Sequence, residues 1–146
     1  MFTAKIYRAM IGSLSGAMEE VYLAKEIIRK WNHDNAESKG ILFMPVEWSK
    51  KTEELNKNDI VIGIIGNWID STAVVEECAQ MGKKVILFFQ TYHDPKVSIP
   101  GEVQKVEEYR EQIKDTCPCF NYDSTSAFDG VLTKQIIKYA INNLTT

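Results

Sequence analysis

Two adjacent carboxylates, Glu76 and Glu77, are the side chains of this chain best suited by type to acid–base or nucleophilic work. Glu76 shares a helical face with Ala73 and Gln80, a pattern that also reads as plain solvated surface, while Glu77 is turned more toward the edge of a sheet. A second cluster is Gly12-Ser13-Leu14-Ser15-Gly16. Two hydroxyls, two glycines and the free N–H groups of a helix start can hold a phosphate or carboxylate. The run matches neither G-x-G-x-x-G nor a P-loop, and a glycine-rich turn with a serine cap would use the same residues. Third, Asn67 and Trp68 offer an amide and an indole suited to a flat ring, unless Trp68 only shields a strand end. Trp48, after Glu47, is a further candidate; its alternative role is to cover the first helix.

Metal chemistry finds little to work with. The cysteines are Cys78, Cys117 and Cys119, the last two in a C-x-C, and the two histidines, His33 and His93, lie far apart. The spacing fits no zinc or redox motif, so the thiols read as small buried side chains in a reducing compartment, and neither a metal nor a cofactor is expected.

These residues must be positioned by alternating strands and helices. Residues 4–11 read as a strand, and 17–32 as an amphipathic helix with Ala17, Val21, Ala24, Ile28 and Trp31 inward. Polar residues 32–40 read as a loop, and 41–46 as a buried strand with Pro45 fitting its end. After a polar stretch with room for one short helix, residues 60–66 are apolar on both faces, as in a central strand covered from both sides. Residues 71–81 form a helix capped by Ser71 or Thr72 and ended by a left-handed turn at Gly82. A strand at 85–89, a helix at 102–114, a short strand at 119–122 and a last helix capped by Asp123 or Ser124 complete the chain. Such alternation predicts one three-layer α/β domain over 1–146, with a five-stranded parallel sheet in the flavodoxin-like order 2-1-3-4-5. Ligands of such sheets bind beyond the carboxyl ends of the first and third strands, which would put Ser13 and Trp68 on one cavity.

The totals narrow the function classes. A length of 146 residues, with 45% hydrophobic and 25% charged, fits one globular domain. A formal net charge of -3 argues against nucleic acid as partner. No apolar run approaches a membrane span, and the amino end carries no basic region followed by an apolar stretch, so a cytoplasmic protein is expected.

Several blocks together resemble a family of bacterial domains of unknown function. Residues 9–32 are similar to a strand ending I-S-S-P-S-D followed by a helix from E-E-R to W-N. Residues 35–48 resemble an N-S-E-S-K loop and then L-P-V-x-W, and residues 58–64 a D-x-L-V-G-I-F strand. Residues 71–88 resemble T-V-E-E-I-E-E-x-I-x-x-G-K-P-V-M-L-Y-F, and Tyr122, Asp123, Ser124 and Phe128 a closing Y-D-S-x-E-x-F. That family is similar in architecture to TIR domains and nucleoside 2-deoxyribosyltransferases. The resemblance implies cleavage or exchange of N-glycosidic bonds of NAD or nucleosides through a glutamate on the helix after the third strand. It is also compatible with homo-oligomers. The departures fall at the chemistry: the family's loop Pro and Asp are Leu14 and Gly16, its Arg after the double Glu is Val21, the insertion after the tryptophan is mostly missing, and the glutamate position, counted back from Gly82-Lys83, is Val74.

Two readings follow from these residues and the resemblance. One is a binding module of TIR-like fold for a nucleotide, an NAD-derived molecule, a nucleoside or a protein partner, without catalysis. The other is an active N-glycoside hydrolase or transferase, with Glu77 or Glu76 as carboxylate and Gly12, Ser13, Ser15, Trp48, Asn67 and Trp68 around the ligand. A flavin-binding flavodoxin relative is a third, for which the Gly12–Gly16 loop is a poor phosphate site.

Overall fold

A computed structural model describes residues 1–15, 17–93 and 95–143. The strands are β1 (Lys5–Ser13), β2 (Ile41–Glu47), β3 (Ile60–Ile65), β4 (Lys84–Gln90) and β5 (Cys119–Tyr122). The helices are α1 (Met18–Lys39), α2 (Thr52–Leu55), α3 (Ala73–Gln80), α4 (Pro100–Ile113) and α5 (Thr125–Asn143). All strand pairs are parallel, in the order β2-β1-β3-β4-β5, which is the expected flavodoxin-like arrangement. Every residue of β3 is buried, because a central strand is covered on both faces.

Alternation along the strands sends side chains to two cores. Ala9, Ile11, Ile62, Ile64 and Phe88 pack under α1 and α5. Met10, Leu14, Val61, Ile65, Leu87 and Phe89 pack under α3 and α4, with Leu55 of α2.

Beyond shifts of one or two residues at element ends, three features differ from the sequence reading. Helix α1 continues seven residues past Asn32, through what reads as a polar loop. Asn32 does not end the helix because its amide is used sideways: Nδ2 donates to the Phe43 carbonyl at 2.7 Å and Oδ1 accepts the Phe43 N–H at 2.9 Å. Strand β2 lies at the sheet edge, so one side chain covers both outward backbone groups of Phe43. Ala36 keeps the buried stripe going, and Gly40, at φ 69°, closes the helix with its N–H on the Ala36 carbonyl. Pro45 sits inside β2, two residues before its end. It has the same parity as Phe43, so its nitrogen faces away from β1 and the missing N–H removes no ladder bond. Finally, Gly12 and Ser13 belong to β1, paired with Gly63 and Ile64.

Helix α3 ends as expected: Gly82 has φ 78°, and Lys83 N–H reaches back to the Cys78 carbonyl at 3.0 Å. No helix among the described residues is long and apolar enough to cross a membrane.

Candidate functional site

The neighbouring ends of β1 and β3 are knitted into one edge. Leu14 N–H donates to the Ile64 carbonyl at 3.0 Å, and the Leu14 carbonyl accepts Asp70 N–H at 2.7 Å. Ser15 is buried, and its Oγ accepts the Gly66 N–H at 2.6 Å. Ser13 Oγ accepts the N–H groups of Ser15 at 3.0 Å and Ala17 at 3.1 Å, and donates to the Ser15 carbonyl. Both hydroxyls therefore serve the protein's own backbone: Ser13 holds the turn before α1 and Ser15 ties it to the end of β3, and neither caps the helix. Glu19 and Glu20 occupy the first turn of α1, so its positive end already faces two carboxylates. Gly16 lies outside the described residues.

Trp48 lies against the sheet on the side of α3 and α4, opposite the face that α1 covers. Its expected alternative role, covering α1, is thus corrected by which face of the sheet it meets. Gly12 and Gly63 are paired across β1 and β3. A Cβ on Gly12 would fall 2.6 Å from Trp48 Cδ2 and Cε3, and one on Gly63 would fall 2.8 Å from Leu87 Cδ2. Two missing side chains open a hollow in the sheet surface, and the indole fills it from above. Trp48 packs here as part of the fold.

The two carboxylates of α3 are held by hydroxyls. Thr72 Oγ1 donates to Glu76 at 3.1 Å, and Thr52 Oγ1 donates to Glu77 at 2.9 Å. Glu76 is exposed and Glu77 half-buried, toward α2. Val74, the position where the family resemblance places a glutamate, is 6% exposed and packs into the core.

The residues after β3 make a different surface. Asn67, Trp68, Val97, Ile99 and Glu102 line a cavity of about 330 Å³. Trp68 is 43% exposed, so it presents indole surface instead of filling the interior. His93 Nδ1 and Asn67 Oδ1 are 2.6 Å apart, joining the loop after β4 to the loop after β3. Because Oδ1 can only accept, Nδ1 is the donor of this contact. Glu102 comes from the first turn of α4, which opens at Pro100. The sequence reading identifies Asn67 and Trp68 but not Val97, Ile99, Glu102 or the partner histidine. The only sequence signal for these four was their place after a buried strand, at the carboxyl edge. Gly12, Ser13, Ser15, Trp48, Glu76 and Glu77 are not among the described residues lining this cavity. The edge thus gathers Asn67 and Trp68 of the predicted set and leaves the other six in backbone, packing or surface roles.

Burial raises the Cys78, Cys117 and Cys119 thiols, which disfavours their thiolates. All three are free, and no cluster of potential metal ligands forms among the described residues.

No family model matches the chain, and neither does any curated protein. Among solved structures, homoserine dehydrogenase of S. aureus superposes with a TM-score of 0.50 at 8% identity, over 82% of this chain and 33% of the dehydrogenase. The chain thus spans a third of that protein's length, and the likeness is one of fold. A short-chain flavodoxin associated with a non-canonical PDU bacterial microcompartment superposes with a TM-score of 0.48 at 10% identity, over 96% of this chain and 99% of the flavodoxin.

Proposed function

We propose that the domain is a binding module for a nucleotide, a nucleotide derivative or a nucleoside, whose flat ring rests on Trp68, and that it performs no N-glycoside chemistry. The observation carrying this reading is the exposed indole beside the Asn67 amide and the Glu102 carboxylate in one cavity at the carboxyl edge of β3. A π-face with polar groups at its rim suits a heterocycle, which stacks and hydrogen-bonds along its edge. The proposed kinship is with the TIR-like and deoxyribosyltransferase-like domains. Loss of catalysis follows from Val74: a buried valine cannot stabilise an oxocarbenium-like centre. Glu76 and Glu77 are tied to threonines and are not among the described residues lining the Trp68 cavity.

The test is a panel of NAD, ADP-ribose, cyclic nucleotides and nucleosides, read by thermal shift, tryptophan fluorescence and chromatography of the ligand. One class should stabilise the protein, by about 2.7 kcal/mol at a hundredfold excess over its Kd. The shift should vanish in Trp68→Ala, and the ligand should be recovered intact. Release of nicotinamide or free base by the wild type, lost in Glu77→Gln, would establish the enzymatic reading instead. No shift with any member would leave protein interaction as the role of this edge.

A further inference from the structure

Two polar groups under α2 are left unmatched by the protein. Asn58, just before β3, is 1% exposed. Its Nδ2 donates to Met10 Sδ at 3.3 Å, and its Oδ1 has no hydrogen-bond partner among the described residues. Arg8 of β1 is in the same condition: its Nε is buried and unpartnered, and its guanidinium comes only to 4.0 Å from the Glu54 carboxylate. The backbone holds the two residues side by side. Arg8 N–H donates to Asp59 Oδ2 at 2.8 Å, and Asp59 N–H donates to the Arg8 carbonyl at 2.9 Å. Alternation along β1 puts the Arg8 side chain on the same face of the sheet as Met10.

Both residues line a cavity of about 230 Å³ between β1, the end of β2 and α2. Among the described residues it shares none with the Trp68 cavity. A buried donor and a buried acceptor with nothing to bond cost free energy, and a molecule that offers one of each recovers it. The volume is several times the about 30 Å³ of a water molecule and below the about 300 Å³ where sites for drug-sized ligands begin, which is too small for a nucleotide. Charge selects further. Glu47 and Glu54 also line the cavity, Glu47 paired with Lys25 and Glu54 with Lys57. A plain anion would meet these carboxylates, and a plain cation would meet Arg8. A small molecule that carries both signs meets its opposite at each end.

We propose that this cavity is a binding site for a free α-amino acid. The ligand's carboxylate accepts from Arg8 Nε and the adjoining terminal N–H, the paired geometry to which a guanidinium is suited. Its ammonium, one carbon away, donates to Asn58 Oδ1 and to Glu54. Its side chain lies along Val46 and Trp48, which are both partly buried and line the same cavity.

Calorimetric titration of the whole chain with the common L-amino acids tests this. One or a few should bind, with a Kd of about 0.01–1 mM. The matching amide, which lacks the carboxylate, and the matching des-amino acid, which lacks the ammonium, should each bind about tenfold more weakly or worse. Asn58→Leu should abolish binding and keep or raise the melting temperature of the free protein, because an apolar side chain of similar size removes the unmatched acceptor. An amide with a purely structural role would lower it. Arg8→Gln, at a side chain 30% exposed, should lose binding as well, and Trp68→Ala should leave it intact. No binding of any amino acid at about 10 mM overturns the proposal and leaves water as the only occupant. Equal binding of the amide or the des-amino acid overturns it too, and so does binding unchanged in Arg8→Gln and Asn58→Leu.

Discussion

Replacing Gly12 by alanine tests whether Trp48 is a packing element. The Gly12 backbone is not left-handed, so alanine fits it without strain. Stiffening the unfolded chain would by itself stabilise the protein by about 0.4–1 kcal/mol. Against this, the new methyl carbon would lie 2.6 Å from Cδ2 and Cε3 of Trp48 and 2.7 Å from its Cβ. Carbon atoms prefer to sit about 3.5–4.0 Å apart, so three contacts are short by about 1 Å. Turning χ1 cannot relieve the contact with Cβ, which is fixed to the backbone just beyond β2. The backbone after β2 must therefore move. Overpacking of this kind costs about 1–3 kcal/mol. The net loss is about 0–2.6 kcal/mol, or up to about 10 °C in Tm for a chain of this length. In a Trp48→Gly background all three contacts are gone, and Gly12→Ala should become neutral or mildly stabilising. Urea melts of the four proteins give the coupling energy directly. A coupling below about 0.5 kcal/mol would refute the packing role of Trp48.

Ser15→Ala should destabilise the domain by about 1–3 kcal/mol in urea melts, because it strands the buried Gly66 N–H. Ser13→Ala should lose about 0.5–1.5 kcal/mol, the net worth of a turn hydrogen bond, and a variant with wild-type stability would contradict the backbone role of that hydroxyl. Asn32→Leu uncovers the Phe43 backbone at the β2 edge, so native-state hydrogen exchange at Phe43 should speed up and soluble yield should fall; unchanged exchange would show that the amide does not guard the edge. Alkali should unfold the protein. Burial, helped by Cys117, lifts the Cys119 thiol from 9.0 to about 11, and burial, with Asp59 and Tyr7, lifts Tyr139 from 10.0 to about 12. The folded chain holds these protons more tightly, so their contribution is complete below pH 9 and is lost as pH rises toward 12; a flat melting temperature across that window would contradict it.

The strand order was readable because its cues are local. The unbroken apolar run 60–65 can only be a strand covered on both sides, and each strand is followed by a segment whose apolar residues recur at helical spacing. Gly82 announced the end of α3 through its own conformational freedom. The run 32–40 misled because composition ignores what a side chain reaches across space. Asn32 reads as a helix breaker until Phe43 is beside it. The same holds for the candidate site. Two serines beside two glycines look like an anion cradle in one dimension, but the partner of Ser15 is Gly66, fifty-one residues away just past the end of β3.

The sequence alone determined the layer architecture and the place where two strand ends open together, because apolar periodicity and strand–helix alternation are properties of neighbouring residues. Only the tertiary structure decided which side chains at that edge are left for a ligand. Trp48 and Trp68 are both tryptophans just past a strand, yet one covers a pair of facing glycines and the other projects into a cavity. That choice depends on what the adjacent strand and the next loop put opposite each ring, and residues far apart in the chain supply it.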